Sequence, residues 1–157
     1  MDVIEVSGLR KVFGDIVAVD GLDFTVPRGS VVGLLGGNGA GKTTTLSMLL
    51  GLLLPTSGSL RVLGEDMLRH RYRVLGRLNF SSPYVDLPHR LTVRQNLSVY
   101  ARLYGVAGFA ARIDELAREL DIAAFLDRPY GQLSAGQKTR VTIAKALINH
   151  PQLLMLD

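Results

Sequence analysis

The glycine-rich stretch GGNGAGKTTTL, from Gly36 to Leu46, decides the fold of this 157-residue chain. Its four glycines, one lysine and three threonines offer too little apolar surface to build a packed core. The stretch matches the pattern G-x-x-x-x-G-K-[ST] at every fixed position. Glycines let successive backbone N–H groups turn inward around phosphate oxygens, and the N-terminus of a following helix adds its positive end. The stretch therefore predicts a loop that holds the phosphates of a nucleoside triphosphate.

The segments around this loop predict an α/β fold. The continuous apolar run Val31–Leu35 predicts a strand buried on both faces, and the residues from Thr43 to about Leu50 predict a helix that Gly51 ends. Three further strands are predicted, at residues 3–7, 22–26 and 59–63. A dinucleotide fingerprint, G-x-G-x-x-G, is not met, because Lys42 stands where a third glycine is required.

The second half of the chain is predicted to be mainly helical before it returns to the sheet. Residues 92–125 have helical periodicity, and Thr92 with Gln95 forms a capping-box pair. Another helix is predicted from Ser134 to just before Pro151. Residues 153–156 then predict a second buried strand with Asp157 at its carboxyl end, where ligands bind in open α/β sheets.

Composition limits the other classes of protein. Hydrophobic residues make up 47% and charged residues 20%, which indicates a globular domain, and the absence of cysteine is compatible with a reducing cytosol. The start of the chain does not resemble a secretory signal, and the apolar run at residues 46–55 is too short to span a bilayer. The net charge of +4 and the basic cluster at residues 69–73 are typical of a solvated surface, although a basic balance also permits nucleic acid or an anionic membrane as a partner.

A second candidate phosphate site is the sequence LSAGQ, Leu133 to Gln137, which we call the signature segment. By itself it indicates only a helix start, with Ser134 as the cap and Gln137 reaching back. Beside the phosphate loop it acquires a second interpretation, because a glycine-containing turn before a helix is suited to binding phosphate.

With GGNGAGKTT at residues 36–44, LSAGQ at 133–137 and QLLMLD at 152–157, the sequence resembles the nucleotide-binding domains of ABC ATPases, most closely those of bacterial ABC transporters. The resemblance implies a P-loop NTPase core with an N-terminal antiparallel β subdomain and an inserted helical subdomain, truncated after the Walker B strand. Residues 1–157 would form a partial domain, with the ATP-binding core at 1–78, the helical subdomain at about 79–130, and the signature helix and Walker B strand at about 131–157. Ala135 is a departure, since the family usually has LSGGQ.

The resemblance also implies a mechanism in which two such domains dimerise head to tail. ATP and Mg²⁺ would lie between the phosphate loop of one domain and the signature segment of the other. Thr43 and Asp157 would hold Mg²⁺, and Phe13 would stack on adenine. The ATP-binding residues would be Phe13, Gly36, Gly37, Asn38, Gly39, Ala40, Gly41, Lys42, Thr43 and Thr44, and those of the opposing site Leu133, Ser134, Ala135, Gly136 and Gln137.

Two family features are missing from the sequence. Residues 76–93 contain no glutamine where the family carries one, so that Phe80, Ser81 or Ser82 falls near its place. The family's general base is a glutamate directly after the Walker B aspartate, and none of the three histidines, His70, His89 and His150, occupies the switch position. We therefore expect no catalytic base within the chain, a natural protein that continues past Asp157, and weak ATP binding without appreciable turnover by these residues alone.

The leading functional hypothesis is the ATPase subunit of a bacterial transporter at the cytoplasmic face of the membrane, partnered by a second nucleotide-binding domain and a membrane-spanning subunit. The sequence LTVRQNLSVYARLYG at residues 91–105 resembles that of exporters. An ABC ATPase acting on ribosomes or DNA remains an alternative, although nucleic acid is not the expected partner. A degenerate nucleotide-binding module and a small P-loop kinase or GTPase also remain open.

Overall fold

The computed structural model describes residues 2–82 and 86–157, which form two compact units that divide between Leu75 and Gly76. The first unit contains the phosphate loop and the second contains the signature segment. The sequence-based division of the chain near residue 78 stays a prediction.

The first unit is built on an antiparallel sheet with the strand order β2-β1-β3-β4. Its strands are β1 (Asp2–Phe13), β2 (Ile16–Pro27), β3 (Ser57–Val62) and β4 (Glu65–Asp66), and its helices are α1 (Lys42–Leu49), α2 (Met67–His70) and α3 (Tyr72–Leu75). Apolar side chains of β1 and β3, such as Leu9 and Val62, are fully buried. The three predicted strands of this sheet are present. Strands β1 and β2 extend beyond both predicted ends, because their long pairing adds ladder hydrogen bonds that no local pattern reveals, whereas β3 begins two residues before its predicted start and ends one residue before its predicted end.

The prediction of a buried strand at Val31–Leu35 is wrong for this structure. The segment has no strand assignment, and Val31 and Leu35 are almost fully exposed. A strand needs a neighbour to take its backbone hydrogen bonds, and within residues 2–82 and 86–157 no strand pairs with this segment. The apolar run therefore lies uncovered directly before the phosphate loop.

The second unit packs three helices beside a two-stranded parallel sheet. Strand β5 (Leu78–Ser81) pairs with β6 (Leu153–Leu156), and the helices are α4 (Val93–Leu103), α5 (Phe109–Glu119) and α6 (Ala135–Leu147). Short 3₁₀ turns lie at Ala123–Phe125 and Tyr130–Gln132. The helical core is formed by the buried side chains of Val93, Leu97, Ala101, Ile113, Leu116, Ile122, Val141, Ala144 and Ile148.

The predicted helices of the second unit are confirmed, and the predicted burial of its last strand is not. Thr92 and Gln95 form the expected reciprocal capping box at the start of α4. Strand β6 exists, but Leu156 is 64% exposed, because β6 pairs only with β5 among the described strands.

Candidate functional site

The phosphate loop, residues 36–43, is exposed and leads directly into α1, whose first residue is Lys42. The Lys42 ammonium folds over the loop and donates hydrogen bonds to the carbonyl oxygens of Gly36 and Gly37, at 2.5 and 2.8 Å. A Cβ on Gly36 would lie only 2.9 Å from the Ala40 side chain. The loop is therefore tightly wound, with a cation on its inner side and a helix N-terminus behind it, which is the arrangement that suits an anion.

A β-bulge in the neighbouring hairpin holds the loop in place. Lys11 pairs with Val19 and Val12 pairs with Val17, so Ala18 has no opposite residue. A Cβ on Gly41 would lie 2.4 Å from the Ala18 carbonyl oxygen and 3.0 Å from the Val19 side chain. Gly41 also has a φ of +79°, so this position requires glycine on two independent grounds.

Phe13 is the last residue of β1 and lies next to the turn of the same hairpin. It pairs with Ile16, and its side chain is 47% exposed. Ile16 and Val17 are exposed as well, so the tip carries a small apolar surface. An exposed aromatic ring of this kind is suited to stacking on a nucleobase.

The signature segment forms the N-terminus of α6. The Gln137 amide donates to the Ser134 hydroxyl at 3.3 Å, and the Ser134 amide donates to the Gln137 side chain at 3.0 Å. Leu133 is buried and anchors the turn, whereas Ser134, Ala135 and Gly136 are exposed. The predicted capping box is thus confirmed, and it presents the free amides of the first turn to solvent.

Gly136 has no structural reason to be a glycine. It is helical, and a Cβ built on it would meet nothing within 4 Å. Glycine inside a helix costs about 0.5–1 kcal/mol relative to alanine. The absence of a side chain here leaves the backbone open to close approach from outside the chain.

The turn before the signature segment is fixed to the segment that precedes α4. The Gly131 amide donates to the His89 carbonyl at 3.0 Å, and the Tyr130 amide donates to the Leu91 carbonyl at 2.9 Å. A Cβ on Gly131 would lie 3.1 Å from that of His89. His89 also bonds the Asp86 carboxylate at 2.5 Å, and this hydrogen bond lowers the pKa of Asp86. The signature segment is therefore positioned by hydrogen bonds to residues about 40 positions earlier in the chain. The motif itself does not predict these contacts.

Each unit contains one of the two residues that the sequence predicts as Mg²⁺ ligands. The Thr43 hydroxyl belongs to the first turn of α1, and the Asp157 carboxylate follows β6, where the Asp157 amide donates to the Ser81 carbonyl at 3.0 Å. Both residues are exposed, and hydroxyl and carboxylate oxygens are the ligands that Mg²⁺ prefers. Within residues 2–82 and 86–157 no group of three His, Asp or Glu side chains is arranged to hold a metal ion.

The end of β5 lacks the glutamine that the resemblance to ABC ATPases leads us to expect there. Phe80 and Ser81 are half-buried, Ser82 is buried, and the following residues 83–85, also within the region lacking glutamine, lie outside the described part of the chain. The Lys145 ammonium lies 3.5 Å from the Phe80 carbonyl, and burial lowers the pKa of this lysine. Gln95 caps α4 as predicted and is thereby occupied. No motif in the sequence singles out Lys145, which follows the buried Ala144 on α6.

Residues 19–157 match the model of the "ABC transporter" family. The chain belongs to this family. The "Nod factor export ATP-binding protein I" of Ralstonia nicotianae is 40% identical over 157 residues, which cover 99% of this chain and 49% of that protein. The "Daunorubicin resistance ATP-binding protein DrrA3" of Streptomyces coeruleorubidus is 41% identical over 156 residues, again covering 49% of its length. The chain thus spans about half the length of these curated relatives.

Solved structures of ABC proteins confirm the predicted fold class. The structure of cbiO1 from Clostridium perfringens, part of the ABC transporter complex cbiONQ, superposes with a TM-score of 0.87 at 29% identity and covers 99% of this chain and 65% of its own. The ADP conformation of MJ1267, an ATP-binding cassette of an ABC transporter, has a TM-score of 0.88 at 22% identity, which shows the fold alone. None of the helices in the described ranges has the length and apolarity that a membrane crossing requires.

Proposed function

We propose that the chain belongs to the ATP-binding and ATP-hydrolysing subunit of a bacterial ABC exporter. ATP binding would cause two such subunits to dimerise head to tail. The observation that carries this proposal is the wound phosphate loop with the Lys42 ammonium folded across it, at the N-terminus of α1. ATP would replace the carbonyl groups of Gly36 and Gly37 as the partner of Lys42. Membership of the ABC transporter family supports ATP as the nucleotide.

Within this proposal, Thr43 and Asp157 hold Mg²⁺, which neutralises negative charge on the β- and γ-phosphates. Phe13 stacks on the adenine, and the loop amides of residues 36–44 surround the phosphates. The residues proposed here bind the nucleotide and Mg²⁺, and none of them is assigned the role of general base, so nucleotide binding is the readout that tests the site.

The signature segment would complete the ATP site of a second copy. Its exposed amides and the open position of Gly136 allow the γ-phosphate of the opposing site to approach the backbone. Ser134, Gly136 and Gln137 would make these contacts, and the positive end of α6 would favour the negative charge.

The relatives support a transport role and suggest its direction. Their names refer to export and to drug resistance, and cbiO1 is part of a transporter complex. We propose that this subunit lies at the cytoplasmic face of the membrane and binds a membrane-spanning partner that selects the substrate.

The test of the proposed function is Lys42→Ala. Because it removes a charged donor to the phosphates, the affinity for a fluorescent ATP analogue should fall at least about tenfold, with thermal unfolding unchanged. Arg28→Ala, an exposed cation of the same unit, is the charge-matched control and should bind normally. Unchanged nucleotide affinity in Lys42→Ala, or no Mg²⁺-ATP binding by the unchanged chain, would refute the assignment.

A further inference from the structure

Phe13, the residue proposed to stack on the nucleobase, has a neighbouring side chain that the motifs do not indicate. The Lys11 ammonium lies over the ring of Phe13, 4.9 Å from its centroid. It also donates a hydrogen bond to the carbonyl oxygen of Leu54 at 2.8 Å. The lysine is therefore held at both its backbone and its head group, and it occupies one face of an aromatic ring that is 47% exposed.

The hairpin register places Lys11, Phe13 and the phosphate loop on the same face. Lys11 and Phe13 are two residues apart in β1, so their side chains point to the same side. The cross-strand partner of Lys11 is Val19, whose side chain would lie 3.0 Å from a Cβ on Gly41. From Lys11 to Phe13 strand β1 advances about 7 Å, and β2 covers the same span from Val19 to Ile16 because Ala18 is the extra residue of the bulge. This spacing leaves room for a ribose between phosphates at the loop and a base at the ring.

The segment that anchors Lys11 is itself fixed to β1. The Val12 amide donates to the Thr56 hydroxyl at 2.9 Å, and the Thr56 amide donates to the Arg10 carbonyl at 2.8 Å. Leu54, which accepts from Lys11, lies two residues before Thr56. The Lys11 ammonium is thus positioned by a turn that Thr56 fixes to β1. Its hydroxyl bonds the residue after Lys11 and its amide bonds the residue before Lys11.

We propose that Lys11 is a positioning residue for the nucleobase: bound between Leu54 and one face of Phe13, it fixes the ring so that the opposite face stacks on the base of a bound nucleotide. This inference rests on the proposed nucleotide-binding function and deepens it. A cation on one face of the ring restricts its rotamers, so less conformational freedom is lost when the base stacks on the other face.

The test compares ATP with inorganic tripolyphosphate, which has the same phosphates but no base. Each ligand is titrated against a bound fluorescent ATP analogue in the presence of Mg²⁺. Lys11→Met keeps the aliphatic stem and removes the cation, so the affinity for ATP should fall about threefold to fivefold while that for tripolyphosphate changes less than twofold. Lys11→Arg, which retains a cation able to stack on the ring, should restore most of the ATP affinity.

Two further variants separate stacking from charge. Phe13→Ala should lower the affinity for ATP about tenfold and leave that for tripolyphosphate unchanged. Arg10→Ala removes the same charge from the adjacent residue, where Arg10 pairs with Asp20 at 2.9 Å, and should bind both ligands normally. Circular dichroism of every variant checks that the hairpin is folded.

The outcomes of this test distinguish failure of the inference about Lys11 from failure of the proposed function. Equal losses for ATP and tripolyphosphate in Lys11→Met would show that Lys11 acts on the phosphates and would overturn the inference, as would unchanged affinity for both. If the unchanged chain binds tripolyphosphate and ATP equally well, base stacking is absent and the inference is wrong while the phosphate loop stands. If it binds neither ligand, the proposed function fails as well.

Discussion

At the level of single residues, the contact between Gly41 and the Ala18 carbonyl determines where the phosphate loop lies. The motif requires a glycine at this position in any such loop, but only the register of the hairpin shows which atom it meets. The bulge at Ala18 turns that carbonyl toward the loop. The glycine thus serves both the turn and the contact with β2.

We expect Gly41→Ala to displace the loop, because its Cβ would lie 2.4 Å from a backbone oxygen that cannot move away. Gly39→Ala is the matched control: Gly39 also has a positive φ, of +82°, but a Cβ there would meet nothing. Gly39→Ala should lower the free energy of unfolding by about 1–2 kcal/mol through backbone strain alone. Gly41→Ala should lower it further and weaken nucleotide binding more, as measured by urea unfolding and by nucleotide titration. Equal effects of the two substitutions would contradict the proposed contact.

A second residue-scale prediction concerns pH. The hydrogen bond from His89 lowers the pKa of Asp86, so Asp86 stabilises the fold above the ordinary carboxyl pKa of 3.8, and this contribution is lost as the pH falls through the lowered value. Unfolding measured between pH 6 and about pH 2 should therefore show a smaller acid-dependent loss in Asp86→Asn than in the unchanged chain. An identical pH dependence in Asp86→Asn and the unchanged chain would contradict a lowered pKa of Asp86.

At the level of elements, α6 contains a glycine that its own packing does not need. Gly136→Ala should raise the free energy of unfolding by about 0.5–1 kcal/mol, because alanine restricts the unfolded backbone and fills open space. The same change should weaken ATP-dependent association of two copies, since the added methyl group lies where the opposing phosphate would approach. Thr139→Ala, an exposed change on the same helix, should leave association intact. A variant that gains stability and also associates normally would show that Gly136 has no role in the opposing site.

Capping boxes in this sequence predict helix starts more reliably than apolar runs predict buried strands. Thr92–Gln95 and Ser134–Gln137 predicted helix starts correctly, because a capping box is made within four consecutive residues. Val31–Leu35 predicted a buried strand that is not formed, since a strand requires a partner elsewhere in the chain. Hydrophobic sequence indicates a need for burial, whereas the burial itself depends on long-range pairing.

At the level of the whole molecule, the proposed site requires two copies, and mixing defective variants tests this. Lys42→Ala removes the phosphate loop cation, and Gly136→Glu places a carboxylate where the opposing phosphate would approach. Neither variant alone should form dimers with Mg²⁺-ATP. A mixture should form dimers, because a heterodimer contains one site with an intact loop and an intact signature segment. Sedimentation velocity measures the outcome, and a mixture that stays monomeric, when the unchanged chain dimerises, would contradict the head-to-tail arrangement.

The sequence by itself determined the local features of this protein. The phosphate loop, the two capping boxes and the order of the motifs follow from contiguous residues, so backbone chemistry within a few positions was sufficient to predict them. Its resemblance to ABC proteins also predicted the fold class that the solved structures confirm.

Only the tertiary structure decided what meets these features across the chain. It placed the Ala18 carbonyl against Gly41, the Lys11 ammonium over Phe13, and the segment around His89 beside Gly131. These contacts join residues 23, 2 and 42 positions apart, and the contact of Gly41 with Ala18 depends on the strand register and the bulge of the hairpin. Register is set by pairing along the whole hairpin, and a single extra residue such as Ala18 redirects the backbone around it.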